Sequence, residues 1–159
     1  MTGICTVVVP ASGSERTAPA DADMQANPIN LRGIDHVVLR TAQLPAMVAF
    51  YRDVLGCRLE RGPGALGLAQ LRAGQSLIDI VTLDGPVGGR LGGDPVAANA
   101  NMDHFCLAVV PWDEAAILDH LARHGIAHDG VAQRYGARGS GPSIYFSDPD
   151  GNRVELAGA

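Results

Sequence analysis

Four residues combine reactive side chains with a repeating position: His36, Asp79, His104 and Glu155. Two are imidazoles and two are carboxylates. Each histidine follows an aspartate, in IDH at 34–36 and MDH at 102–104. Such a set suits a divalent transition ion. Imidazole binds Zn, Fe, Ni and Co well, and carboxylate widens the choice to Mn. An octahedral ion held this way keeps positions for water or substrate. Singly, each residue has an ordinary explanation. A strand histidine is commonly a core or surface residue. An acid among strand residues, such as Glu155 between Val154 and Leu156, commonly faces solvent.

The elements that carry these residues repeat. GIDHVVLRT (33–41) predicts a strand, from its β-branched and nearly continuous apolar residues. LPAMVAFYRDVLG (44–56) predicts a helix closed by Gly56. CRLERG, ALGLAQLRAG and SLIDIVTL then predict three short strands separated by Gly or Pro. The pattern restarts with the strand MDHFCLAVV (102–110). The helix WDEAAILDHLARHG follows, with Trp112 or Asp113 at its start, acids in its first turn and Gly125 at its end. Three strands come next: IAHDGVA, PSIYFSD and NRVELAG. His104 repeats His36 after 68 residues, Gly125 repeats Gly56 after 69, and Glu155 repeats Asp79 after 76. Each half is therefore read as β-α-β-β-β, with a histidine on its first strand and an acid on its last. If each sheet curls into an open cup, the four side chains converge. Asp35 and Asp103 also repeat, so shared ancestry of the halves accounts for the pattern equally well.

Around this repeat the chain is read as one domain, residues 31–159, with modules at about 31–83 and 102–158. Leu83 to Asn101 is Gly-, Pro-, Ala- and Asn-rich and is read as a linker. Residues 1–30 are small, polar and without period, which reads as a disordered leader. ICTVVV is a weak match to a signal core with no basic residue before it, and Met24 offers an alternative start. Apolar residues at 47% and charged residues at 18% belong to a globular chain. A formal charge of -5 without a basic cluster argues against nucleic acid, and no apolar run is long enough to span a membrane. Cys5, Cys57 and Cys106 show no CxxC or zinc-ribbon spacing. They read as free thiols in a reducing cytoplasm.

Other reactive residues carry weaker signals. His120 and His124 are four apart on the second helix, with no HExxH frame. Together with His128 they read as solvated. GVAQRYGARGSG (130–141) holds Arg134, Tyr135 and Arg138 among four glycines. It reads either as a surface loop or as a lid bringing an arginine to an anionic substrate. PVGGRLGGDP (86–95) reads as a second mobile loop. There is no P-loop spacing and no GxSxG or GxGxxG.

IDHVVLRT, FYRDVLGCRLE, MDHFCLAV and SIYFSDPDGNRVEL together resemble the vicinal oxygen chelate superfamily, which includes glyoxalase I, fosfomycin-resistance proteins, extradiol dioxygenases and bleomycin-binding proteins. The resemblance implies an α+β fold of two tandem βαβββ modules forming a cupped mixed sheet. It also implies a divalent metal (Mn, Ni, Fe or Zn) on His36, His104 and Glu155. Asp79 falls where glyoxalase I has a proton-moving Glu, so it is the expected general base. Ser143 and Tyr145 fall on substrate contacts of the fosfomycin enzymes, and Arg138 is a further expected substrate contact. Val38 departs from the thiol-transferase pattern, which has Thr there. The implied activity is that of a metal-dependent lyase, isomerase or epoxide-opening enzyme on a small oxygenated substrate. The alternative is a non-catalytic protein that sequesters a small molecule. A homodimer is expected, with His36 from one subunit and His104 and Glu155 from the other.

Overall fold

Two four-stranded sheets, one per repeat, make up the unit that runs from Ile34 onward. The computed structural model describes residues 31–91 and 102–158. The expected leader and the second half of the expected linker lie outside the described residues. The first module contains β1 (His36–Thr41), α1 (Leu44–Ala49) continued by a π turn (Phe50–Val54), β2 (Arg58–Arg61), β3 (Leu68–Ala73) and β4 (Ser76–Thr82). The second contains β5 (His104–Val109), α2 (Glu114–Arg123), β6 (His128–Gly136), β7 (Gly139–Ser147) and β8 (Arg153–Gly158). The sheets run β1-β4-β3-β2 and β5-β8-β7-β6. In each, the first strand lies parallel to the last and the other pairings are antiparallel. This is the expected α+β pair of βαβββ modules.

Strand period and register sort the side chains. β1 and β4 pair Val38 with Asp79, and β5 and β8 pair Cys106 with Glu155. Residues two apart share a face. His36 and Asp79 therefore lie on one face of the first sheet, and His104 and Glu155 on one face of the second. The opposite faces are apolar. Leu39, Ile78 and Ile80 in the first module and Ile144, Phe146, Val154 and Leu156 in the second belong to one buried cluster with Met47, Phe50, Tyr51 and Leu121 of the helical segments. Each such side chain contributes roughly 1.5–3 kcal/mol on burial. The core thus holds the helices on one side of the sheets and leaves the polar faces open.

Local sequence explains the helix ends. Pro45 opens α1, where its missing N–H costs nothing. Asp113 caps α2, its Oδ1 accepting from the Ala116 amide at 3.1 Å. The first helix departs from a plain α-helix. Its second half widens into the π turn, with Leu55 N donating to Phe50 O at 3.3 Å and Cys57 N to Tyr51 O at 2.9 Å. The wider turn allows two sequence neighbours, Phe50 and Tyr51, to be buried together, at 6% and 0% exposure. Phe50 meets Phe146, and the Tyr51 hydroxyl donates to Asp148 Oδ2 at 2.8 Å.

Asp148 opens the DPDGN turn and organises it. Its Oδ1 accepts from the amides of Asp150 and Asn152, and its Oδ2 accepts from Asn152 Nδ2 as well as from Tyr51. The turn between β7 and β8 is thereby fastened to the helix of the other module.

Three expectations need correction. Residues 130–141 are not a loop. They form most of a long β6–β7 hairpin whose turn is Ala137 and Arg138. Glycine there serves close approach, since a Cβ on Gly141 would stand 2.7 Å from Gly158 O. His120 is not simply solvated: its Nε2–H donates to Val54 O at 2.8 Å, across the module boundary. The start of the expected linker is ordered too. A 3-10 helix, Gly88–Leu91, backs onto β4 so tightly that a Cβ on Gly88 would fall 2.1 Å from Thr82 O.

Candidate metal centre

On the polar face of the second module, His104 and Glu155 meet. His104 Nε2 stands 3.1 Å from Glu155 Oε2. The other ring nitrogen, Nδ1, lies 2.7 Å from Asp103 Oδ1. A carboxylate only accepts, so Nδ1 carries a proton and donates it to Asp103. Nε2 of the neutral ring is then a lone pair facing a carboxylate oxygen. Two acceptors at that distance need a cation between them, either a proton on the imidazole or a metal ion.

The spacing fits the metal. Donors about 2.1 Å from an ion, at tetrahedral or octahedral angles, stand roughly 3.0–3.4 Å apart. An aspartate behind an imidazole also fixes its ring and tautomer, as it does in many metal sites.

Glu155 is 7% exposed, and burying an anion is costly unless hydrogen bonds replace water. They do so here. Ser143 Oγ donates to Glu155 Oε1, and Tyr145 and Cys106 add further hydrogen bonds. Burial pushes the Glu155 carboxyl up, but the bonds from Ser143, Tyr145 and Cys106 and the nearby His104 outweigh it and leave the carboxyl below its ordinary value. Ser143 is 1% exposed and its hydroxyl is committed to Glu155. Tyr145 lies edge-on to His104, with ring centroids 5.1 Å apart, and the Arg153 guanidinium covers its face at 4.6 Å.

The first module repeats the plan with different parts. His36 Nδ1 lies 2.7 Å from Asp35 Oδ1, so the same tautomer presents Nε2 outward. This contact raises the His36 pKa above the ordinary histidine value, against an opposing effect of burial, with Asp79 adding to the rise. Asp79 is also 7% exposed, and Gln70 Nε2 donates to both its oxygens, at 3.1 and 2.9 Å.

The sequence-predicted residues are thus divided. His104, Glu155, Ser143 and Tyr145 come together in the second module, and His36 and Asp79 face the same way in the first. Among the described residues of one chain, no three His, Cys, Asp or Glu side chains converge as a metal-binding group. Arg138 sits exposed at the hairpin turn, lining a groove of about 820 Å³ with the cap Asp113 and Ala116 of α2. Sequence reasoning missed Gln70, which lies across from Asp79 as Tyr145 lies across from Glu155. It also left out Cys106, whose place two residues after His104 was the available signal.

The model of the Glyoxalase/Bleomycin resistance protein/Dioxygenase superfamily matches residues 33–156. The chain belongs to this superfamily. Among solved structures, this vicinal oxygen chelate protein is similar to an integron cassette protein from the mobile metagenome of V. cholerae. The two are 28% identical over 82% of this chain and 97% of that one, with a TM-score of 0.65. It shares its fold with the fosfomycin resistance protein FosX from Mesorhizobium loti, at 18% identity, covering 82% of this chain and 94% of that one, TM-score 0.58. It also shares the fold with TnmS3, an antibiotic-binding protein from a Streptomyces species, at 20% identity, covering 82% and 98%, TM-score 0.60. The superfamily's fold thus carries both resistance proteins and binding proteins, so the site has to argue the function.

Proposed function

We propose that this chain is a divalent-metal-dependent enzyme acting on a small substrate with two vicinal oxygens, and that it works as a homodimer. The observation that carries the reading is the Asp103–His104–Glu155 arrangement, in which two acceptors 3.1 Å apart call for a cation. His104 and Glu155 hold the ion from one subunit, and His36 of the other completes the set. Two features support the shared site. Among the described residues β1 and β5 are the edge strands of their sheets, so each offers an edge to set beside the other. Their polar faces also leave Val38, Cys106 and Ala108 exposed, apolar surface that a partner's edge strand would cover.

When bound, the ion acts as a Lewis acid and steadies negative charge developing on the substrate oxygens. Asp103 and Asp35 hold the imidazoles in the ligating tautomer. Ser143 and Tyr145 keep Glu155 charged and aimed. Asp79, steadied by Gln70 and brought in beside His36, accepts a substrate proton and returns it. The reaction class is isomerisation, lyase chemistry or epoxide opening. Free Cys57 and Cys106 support a cytoplasmic location, and no helix among the described residues is long and apolar enough to cross a membrane.

Subunit mixing tests the shared site. His36→Ala and His104→Ala should each abolish tight Mn²⁺ binding. In a one-to-one mixture, random exchange pairs half the chains as heterodimers with one intact site, restoring about a quarter of the wild-type sites. No recovery, or full binding by His36→Ala alone, would sink the shared site. A second reading, sequestration of a small apolar molecule, draws on the groove, whose lining includes Leu107, Val109, Ile117 and Leu121. Protein that is metal-free after purification without chelator, and takes up no Mn²⁺, Ni²⁺ or Zn²⁺, would favour it.

A further inference from the structure

The cup wall of the second module carries an arginine that the metal reading does not use. β6 and β7 pair Ala132 with Ser143 and Arg134 with Gly141. Residues two apart on a strand share a face, so Arg134 stands on the same face as Ser143, Tyr145 and Glu155. It is exposed, and its Nη1 donates only to the neighbouring Gln133 carbonyl, at 3.2 Å.

Two other arginines on the polar faces are already neutralised. Arg153 pairs with Asp129 at 2.6 Å, and Arg72 pairs with Glu60 at 2.9 Å. Arg134 belongs to none of the ion pairs among the described residues. A guanidinium presents a planar fork of N–H donors that matches a carboxylate in two parallel bonds. Standing on the same sheet face as the His104–Glu155 pair, an uncommitted fork fits a substrate anion better than another protein group.

We propose that Arg134 is a specificity-determining residue that takes a carboxylate carried by the substrate, beyond the two oxygens that reach the ion. The substrate class is then a small carboxylic acid with a vicinal pair of oxygens at its other end. This rests on the metal reading above, and the test separates the two.

The probes are succinate monohydroxamate and butyrohydroxamate, which share a chelating pair of oxygens and differ in one terminal carboxylate. Calorimetric titration of the Mn²⁺-loaded protein should give a preference for the carboxylate probe of roughly 10–100-fold, the range of a charge-assisted bond. Arg134→Met should bring the ratio to near one, with butyrohydroxamate and Mn²⁺ affinities unchanged. A wild-type protein that binds both probes equally would overturn the proposal and leave the metal reading intact. So would loss of the preference in Arg138→Met but not in Arg134→Met, which would move the contact to the hairpin turn. Failure to take up Mn²⁺, or to bind either hydroxamate, would overturn the metal reading and this inference with it.

Discussion

In the first module one amide, Gln70, grips both oxygens of Asp79. In the second, the counterpart Glu155 is gripped by a serine, a tyrosine and a thiol, with an imidazole at 3.1 Å. The two acids sit at equivalent places on their sheets and are equally buried, at 7% exposure. Burial of a carboxylate demands donors in both cases. What differs is what remains for chemistry. Glu155 keeps Oε2 turned to His104, as a ligand would. Asp79 is shorter by one methylene and shares both oxygens with one donor, as a group held in reserve would. The Asp–His pair and the acid recur in both modules, and the cross-strand neighbour of the acid differs, Gln70 against Tyr145.

A second contrast lies in the helices. Tyr51 and His120 are equivalent positions, both 5 residues before the helix-ending glycine, Gly56 or Gly125. Each reaches across to the other module, Tyr51 to the Asp148 carboxylate and His120 to the Val54 carbonyl. The same geometric slot fastens the halves from both sides, once through a buried charged acceptor and once through a backbone oxygen.

The sharpest way to break the contrast between the acids is to remove their charges. Losing a partner of a ligand typically costs 10–100-fold in metal affinity, so losing a ligand by Glu155→Gln should cost about 100-fold or more. Asp79→Asn should weaken Mn²⁺ binding by no more than about threefold while impairing turnover, since that acid is steadied by Gln70 rather than by an ion. Equal losses in the two titrations would make the acids equivalent ligands.

Asp103→Asn and Asp35→Asn probe the histidines. Each should cost about tenfold in Mn²⁺ affinity, because in the proposed site each aspartate fixes the tautomer that would bind the ion. An effect confined to Asp103→Asn would remove His36 from the ligand set.

For the ties between modules, Tyr51→Phe should destabilise the apo protein by about 1.5–3 kcal/mol, because it removes a buried bond to a charged acceptor. His120→Ala should cost about 0.5–1.5 kcal/mol, since its acceptor is a neutral carbonyl. Chemical denaturation of both variants checks the order, and a reversed order would show that the second tie is the stronger.

The smallest effect is in pH. The Glu155 carboxyl is held below the ordinary value of 4.5 in the fold, so its contribution to stability is full above that value and fades as pH falls through the folded pKa. The stability gap between apo wild type and apo Glu155→Gln should therefore narrow below pH 4.5. A gap that widens on acidification would reverse the assigned sign.

Much of this was legible in the chain because it is local or periodic. Strand alternation placed His36 with Asp79 and His104 with Glu155 on common faces, and the repeat matched one pair to the other. Asp113 and Gly125 marked the ends of α2 through backbone groups within a few residues. Contacts between distant segments left no such signal. Four glycines between 130 and 141 read as a loop. In the fold, Gly141 serves the packing of β7 against Gly158, which no local pattern reveals. Reading that segment as a surface loop or a lid named Arg134 and Arg138 together, and only the register of β6 with β7 sets the face on which Arg134 stands. The π turn was equally silent, because its cause is the joint burial of Phe50 and Tyr51 against the other module.

The sequence by itself determined the two βαβββ repeats, their polar and apolar faces and the kinds of donor available, since these depend on side-chain type and a period of two along a strand. Only the tertiary structure decided which donors meet. It brought Glu155 to His104 and Gln70 to Asp79, and it stood Arg134 uncommitted on the cup wall. Those outcomes depend on sheet register and on packing between residues far apart in sequence, where a shift of one rung exchanges the faces.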